Sequence, residues 1–268
     1  MSQQELRPPI GKKIKLADYD PNFHDGLDKD NTKVETVLLQ KRLKQLQSML
    51  FADKSQALLI VLQAMDAGGK DGTIKHVFTG VNPQGVRVAG FKQPSDEELA
   101  HDFLWRIHQH VPEKGYIGIF NRSHYEDVLI VRVNNLVPKA VWEKRYDHIN
   151  HFEKLLVDSG TRILKFYLHI DRDEQKERFE ERLQRPDKNW KFSRGDLGVR
   201  KQWDEYMKAY ETAIYRCHTD DAPWHIVPAN RKWYRNYVVM KTIIETLEDM
   251  NLKYPDPEPD LDKIVIDS

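Results

Sequence analysis

Asp66, Lys70 and Asp71 fall within six residues of one another in the stretch LLIVLQAMDAGGKDGTI, directly after the aliphatic run Ala57 to Leu62. An apolar strand that empties into a glycine-rich turn and then a helix can wrap a phosphate. Backbone N–H groups at the helix N-terminus face the anion and a lysine adds a point charge. Gly69 and Lys70 satisfy the pattern G-x-x-x-x-G-K-[ST], whereas Ala64 replaces its first glycine and Asp71 stands where a hydroxyl would hold Mg²⁺. A tight strand-to-helix turn without ligand is the alternative, and three charges at one strand end argue against it. The loop residues Ala67, Gly68, Gly69, Asp71, Gly72 and Thr73 are therefore candidate phosphate or nucleotide contacts.

A second segment, FNRSHYEDV, follows another apolar strand and brings Asn121, Arg122, Glu126 and Asp127 towards the same edge. Because Asp71 cannot act as a metal-binding hydroxyl, carboxylates must hold the metal, with Asp66 and Asp127 as candidates; such oxygen donors suit Mg²⁺, or Mn²⁺ in its place. A plainer role for Glu126 and Asp127 is favourable charge in a helix first turn, worth a few tenths to about 1 kcal/mol, but it would not explain Asp66. Arg122, just past the strand, is placed as a bidentate phosphate clamp.

The segment RPDKNWKFSRGDLGVRK, Arg185 to Lys201, sets six basic residues against Asp187 and Asp196. Pro186, Gly195 and Gly198 break its regularity, so it reads as a mobile basic flap after a helix carrying Arg178 and Arg182. Lids of this kind expel water and bring arginines onto a migrating phosphoryl group. In ANRKWYRNYVVMK, Ala229 to Lys241, four basic residues meet no acid, and Lys232 and Arg235 are spaced to share one helix face. His101, His108, His110, His148 and His151 lack carboxylate companions at ligand spacing and read as polar or capping residues. Cys217, the single cysteine, excludes an internal disulfide and reads as a bystander thiol.

The elements that must position these residues are those of an α/β chain. Strands are expected at 57–62, 85–91, 116–120, 163–170 and 224–228, separated by helix-length segments. Thr32 and Glu35 form a capping box ahead of a long helix with Leu39, Leu43, Leu46 and Leu50 on its apolar face, and Ser95 with Glu98 opens a helix running to about Val111. Pro138 begins the helix that ends near Gly160, and further helices cover 171–183, 203–214 and about 233–251. Such alternation implies a five-stranded parallel sheet covered on both faces, with right-handed crossovers and ligands beyond the strand C-termini. That rule gathers the loop after Leu62, Phe91 to Pro94, Asn121 to Asp127 and Ala229 to Arg235 at one edge.

The 268 residues are expected to form one domain: an N-terminal arm and helix at 1–53, a lid at about 172–205 and an acidic tail at 252–268 in which only Ile264 to Ile266 could pair with anything. Lys plus Arg and Asp plus Glu both number 42, so net charge gives no reason to expect nucleic acid or membrane partners. No apolar run approaches a bilayer span, and the start MSQQELRPP lacks an apolar signal region, so a soluble cytoplasmic protein is expected.

With these pieces together, the sequence resembles the type-2 polyphosphate kinases from the first long helix to Tyr254. The resemblance is carried by QAMDAGGKDGTI, FNRSHYEDV, KNWKFSRGDL and VPANRKWYRN. It implies a P-loop kinase-like three-layer αβα fold with a helical lid, Mg²⁺ chemistry, and phosphoryl transfer between inorganic polyphosphate and AMP or ADP, or GMP or GDP, in a homo-oligomer. It places Asp66 and Lys70 in the first motif, Asn121, Arg122 and Asp127 in the second, and Arg178, Arg182 and Lys191 in the lid. The acid-free basic helix start that the sheet rule brings to the same edge makes Lys232 and Arg235, with Lys75, the candidates for holding the polyphosphate chain. The Glu126-Asp127 pair resembles the subclass acting on both nucleoside mono- and diphosphates, where other subclasses carry Asn-Arg. An ATP-dependent nucleoside or nucleotide kinase would share loop, lid and metal. A non-catalytic nucleotide switch would need no arginine-rich lid, and no N-K-x-D base-reading segment is present.

Overall fold

The computed structural model describes residues 6–264 and 266. In chain order the elements are α1 (Asn31–Asp53), β1 (Ala57–Gln63), α2 (Lys70–Val77), β2 (Val86–Gly90), α3 (Asp96–Ala100), α4 (Trp105–His108), β3 (Ile117–Asn121), α5 (Ile130–Val133), α6 (Lys139–Asp158), β4 (Thr161–His169), α7 (Arg172–Gln184), α8 (Arg194–Lys201), α9 (Trp203–Cys217), β5 (Trp224–Pro228) and α10 (Lys232–Asp249). The strands form one parallel sheet in the order β2-β3-β1-β4-β5.

Every residue of β1 is buried, which is what a continuous aliphatic run requires at the centre of a sheet covered on both faces. Helices α1, α2 and α10 pack together, as do α5, α6 and α9, and the two groups give the three-layer αβα arrangement. The chain builds outward from β1 through β3 to β2 on one side and through β4 to β5 on the other. Such a reversal opens a crevice at the strand C-termini, where the turns after β1, β2 and β3 meet.

Four local expectations differ from the structure. Helix α1 is started by Asp28, whose Oδ1 accepts from the amides of Asp30 (2.8 Å) and Asn31 (3.1 Å), not by a Thr32–Glu35 box. Thr32 Oγ1 instead donates to the Asp28 carbonyl, and Glu35 accepts from the Tyr237 hydroxyl at 2.8 Å. The Ser95–Glu98 capping box forms, but its helix stops at Ala100, because His101 is extended and Asp102 Oδ1 accepts from the Leu104 amide to begin a separate turn. The N-terminal arm is docked: Leu6 and Leu16 are buried, the Leu16 amide donates to Glu211, and the Pro21 carbonyl accepts from the Asn230 amide. In the basic flap, Gly195 and Gly198 lie inside α8, whose start is capped by the Ser193 hydroxyl.

The suggested pairing of residues 264–266 falls partly outside the described residues, and Ile264 and Ile266 are both exposed. Among the described residues, no helix is long and apolar enough to cross a membrane.

Candidate active site

The phosphate loop is the turn between β1 and α2. Ala67 has a φ of 61°, a conformation rare outside glycine, and Gly69 has a φ of 103° directly ahead of the helix. Gly69 is required on a second count, since a Cβ there would meet Arg235 Nη1 at 1.9 Å. The first-turn amides of α2 have no acceptor within the helix and are left for an anion.

A cavity of about 490 Å³ opens over this loop. It is lined by the loop from Asp66 to Gly72, by Gly90, Phe91 and Lys92 after β2, by Asn121 and Arg122 after β3, and by Arg182, Trp190, Lys191 and Asp196 of the lid. Three of the four sequence stretches expected at one sheet edge thus meet there. The charges of the cavity pair with one another. Arg122 Nη2 donates to Asp66 Oδ1 at 2.8 Å, and Lys70 Nζ donates to the Ala64 carbonyl at 2.8 Å. Asp71 accepts from Asn121 Nδ2 (2.8 Å) and from Lys191 Nζ (2.9 Å). Asp71 therefore ties the phosphate loop to β3 and to the lid, the role its charge permits and a Ser or Thr hydroxyl would not fill.

Arg122 has a φ of 65°, so the backbone at the end of β3 is held in a strained form at the point where the guanidinium turns into the cavity. Burial works against its charge, yet Glu126 and Asp66 hold its pKa above the usual arginine value. Burial, with Arg122 nearby, pushes the Lys70 ammonium down to about 8 despite Asp66, Glu126 and Asp71. Burial raises the Glu126 pKa. Asp71 is held below the usual carboxylate range, because Lys191 and Asn121 outweigh its partial burial.

Asp127 does not line the cavity. Its carboxylate accepts from Arg145 Nη1 at 2.7 Å, and the same guanidinium nitrogen bonds the Asp127 carbonyl at 3.1 Å. Burial still pushes Asp127 up to about 6, so Arg145 and the more weakly acting Arg106 do not fully offset the desolvation of that charge. Among the described residues no three His, Cys, Asp or Glu side chains gather as a metal site. Mg²⁺ commonly uses one or two carboxylates and completes its shell with water and substrate phosphates, and Asp66 is the carboxylate that the cavity wall offers beside the phosphate loop.

Other sequence candidates have different places. Thr73 is buried and its hydroxyl donates back to the Gly69 carbonyl, so it is part of the helix and does not face the cavity. Arg178 is buried and spans from Glu174 (2.6 Å) to the carbonyls of Ala67 (2.9 Å), Ala229 (2.6 Å) and Asn230 (3.3 Å); it braces the phosphate loop. Arg182 lines the cavity, held by the Lys191 carbonyl and Asp196. Lys232 and Arg235 do not share an environment. Lys232 is exposed with Glu181 3.7 Å away, whereas Arg235 is 2 % exposed under Gly69 and bonds Asn236. Burial, and Arg178 beside it, push the Arg235 guanidinium down to about 9. Lys75 is exposed on α2, away from the cavity lining. Cys217 is buried, with its thiol pushed up to about 12 by burial, which fits a bystander.

Phe91 and Lys92, from the stretch expected at this edge, and Trp190 and Asp196, from the basic flap, complete the cavity, although none was named individually as a site candidate from sequence. Other residues of this region were not singled out from sequence. Gln63, with its amide oriented to satisfy both neighbours, donates to Glu126 Oε1 at 3.0 Å and accepts from the Ser123 amide and hydroxyl. Lys165, in the middle of β4, is wholly buried. A lone lysine inside the apolar run ILKFYLHI was the available signal for it.

A parallel sheet in this order, a strand-turn-helix phosphate loop at its centre and a basic lid define a P-loop kinase-like phosphotransferase. The family profile of Polyphosphate kinase 2 matches residues 26–255, and the chain belongs to that family. It is 54 % identical over 261 residues, 97 % of each chain, to an AMP/ADP-polyphosphate phosphotransferase of Meiothermus ruber. It is 44 % identical over 272 residues to an ADP-polyphosphate phosphotransferase of Rhodopseudomonas palustris, covering 96 % of this chain and 93 % of the relative. The crystal structure of Polyphosphate Kinase 2 from Arthrobacter aurescens TC1 superposes with a TM-score of 0.93 at 44 % identity, over 98 % of this chain and 95 % of that one.

Proposed function

We propose that this chain transfers a phosphoryl group between inorganic polyphosphate and AMP or ADP, with GMP and GDP as guanine counterparts, using Mg²⁺ or Mn²⁺. The observation that carries this reading is the cavity in which phosphate loop, Arg122 and lid cations converge, in a chain similar over nearly its whole length to an AMP/ADP-polyphosphate phosphotransferase.

Phosphoryl transfer asks mainly for positioning and charge neutralisation. The α2 amides and Lys70 receive the migrating group, while Arg122 and Arg182 exchange their protein carboxylates for phosphate oxygens. Lys191 closes the lid through Asp71. Asp66, which lines the cavity, would hold the metal together with substrate oxygens, and Asp127, outside the lining and paired with Arg145, would join it only by exchanging that partner; the metal would supply charge neutralisation at the phosphates. The acceptor is a phosphate that is already ionised near neutral pH, so no strong general base and no covalent enzyme intermediate are required. Arg178 and Arg235 act through the loop they support.

The outer polyphosphate chain has a suitable path in a groove containing Lys29, Lys33, His76 and Lys232, with Lys75 exposed on the adjoining α2. The two classes of nucleotide acceptor follow the Glu126-Asp127 pair. A cytoplasmic homo-oligomer is the setting we propose.

The test is a chromatographic assay of purified protein with Mg²⁺ and AMP or ADP, offered polyphosphate or ATP as sole donor. Formation of ADP from AMP and ATP from ADP with polyphosphate supports the reading. Turnover with ATP alone would replace it with an ordinary nucleotide kinase, and binding without turnover would replace it with a switch.

A further inference from the structure

Lys165 lies in the middle of β4 and Glu153 on α6, and both are almost wholly shielded from water. Moving two such charges out of water costs several kcal/mol per ion, and an apolar pair of the same size is often at least as stable there. The pair therefore calls for an explanation beyond stability.

Its hydrogen bonds supply one. Lys165 Nζ donates to Glu153 Oε2 (2.5 Å), the Cys217 carbonyl (2.6 Å) and the Tyr125 hydroxyl (2.8 Å), which uses all three of its protons. Glu153 Oε1 accepts from the Tyr125 hydroxyl at 2.8 Å and bonds His124 Nε2 at 3.1 Å. Apart from the Cys217 carbonyl, every polar link leaving the ion pair thus goes to two consecutive residues. They open the 3₁₀ turn His124–Val128, whose next residues are Glu126 and Asp127. The same turn is gripped from two other directions: Gln63 of β1 holds Ser123 and Glu126, and Arg145 of α6 holds the Asp127 carbonyl and carboxylate. Arg145 and Glu153 lie eight residues apart on α6, about two helical turns, so one face of that helix grips both ends of the turn.

We infer that the buried Lys165–Glu153 pair, acting through His124 and Tyr125, is a positioning device that sets the backbone of the His124–Val128 turn and so places Glu126 and Asp127 for phosphoryl transfer. This rests on the transfer reaction proposed above. Lys165 and Glu153 touch neither cavity nor substrate and act only through the turn.

Two variants test it. Lys165→Met with Glu153→Gln removes both charges at similar volume, and Tyr125→Phe cuts the principal link while leaving the ion pair intact. Hydrogen exchange on the amides of 123–128 is expected to accelerate about tenfold in both, with the slow amides of β1 and β4 unchanged. In the double variant kcat is expected to fall roughly 10- to 100-fold, the effect of an ångström-scale misplacement, while nucleotide KM stays within about twofold. Tyr125→Phe should show a smaller loss of the same kind, and it decides the matter alone if the double variant does not fold. Wild-type exchange across the turn in a folded variant, or faster exchange with unchanged kcat, would overturn the proposal. A wild-type protein inactive with polyphosphate would sink the proposed function separately, and the exchange measurement would still decide whether the pair pins the turn.

Discussion

Replacing Asp127 by Asn should make the protein more stable and far less active. Burial raises the Asp127 pKa from 3.8 to about 6 with Arg145 already acting on it. That difference of about two units, at 1.36 kcal/mol each, means that keeping the carboxylate ionised costs about 3 kcal/mol near pH 7. A neutral amide of nearly the same shape avoids this cost and still accepts from Arg145. A gain of about 1–3 kcal/mol is therefore expected, an increase of roughly 2–10 °C in Tm at this chain length. The sign can be followed with pH. Because the folded pKa lies above the unfolded one, the penalty is absent below about pH 4, grows as pH rises through about 6 and is complete above it. The variant's advantage should therefore be largest at pH 7.5 and shrink towards pH 4.5. Urea unfolding at both pH values, with an unchanged slope, gives the difference. Turnover at saturating Mg²⁺ should drop by roughly 10²–10³, the scale of removing one preorganised charge-stabilising group. A variant less stable than wild type at pH 7.5, or an offset independent of pH, would refute the reasoning.

Lys70→Met should lower kcat by roughly 10²–10³. A bound phosphate should raise the pKa of a lysine held at about 8, so calorimetry at pH 8.5 in two buffers should show proton uptake on nucleotide binding that the variant lacks. Arg182→Ala is expected to lower kcat more than it raises KM, since an arginine that meets new charge only in the transition state contributes differential binding; a pure KM effect would make it a docking residue. Lys232→Ala should raise the KM of long polyphosphate and reduce its salt slope by about one contact, whereas Arg235→Ala, emptying a buried site under Gly69, should weaken nucleotide and polyphosphate alike and lower Tm. Cys217→Ser should leave activity nearly unchanged, and loss of chemistry with an intact fold would reopen covalent catalysis.

The sheet was legible because its strands are continuous apolar runs. The span predicted for β5 coincides with the observed one, and the other four differ only at their ends. The phosphate loop and the turn after β3 were legible because charge and glycine follow those strands directly. What sequence could not give was which side of a short element each charge would face. Lys232 and Arg235 share helical spacing, yet one meets solvent and the other supports the loop, because Gly69 leaves room for a guanidinium and nothing larger on its own side. Arg178 looked like a lid residue, but the unbonded carbonyls of Ala67 and Ala229 claim it. The partners of the second motif, Arg145, Glu153 and Lys165, lie 18 to 40 residues from their contacts and carry no local pattern. Gly195 and Gly198 suggested an irregular flap, yet α8 forms over both from a start capped by the Ser193 hydroxyl.

The central claim is that the phosphoryl group comes from the polyphosphate chain, and ³¹P NMR of one reaction mixture tests it most directly. With AMP, Mg²⁺ and long-chain polyphosphate as the only phosphates, nucleotide β- and then γ-phosphate signals should grow as internal polyphosphate signal declines by the same amount, with no matching orthophosphate. Unchanged nucleotide signals, or orthophosphate accumulating in place of ADP and ATP, would contradict the account.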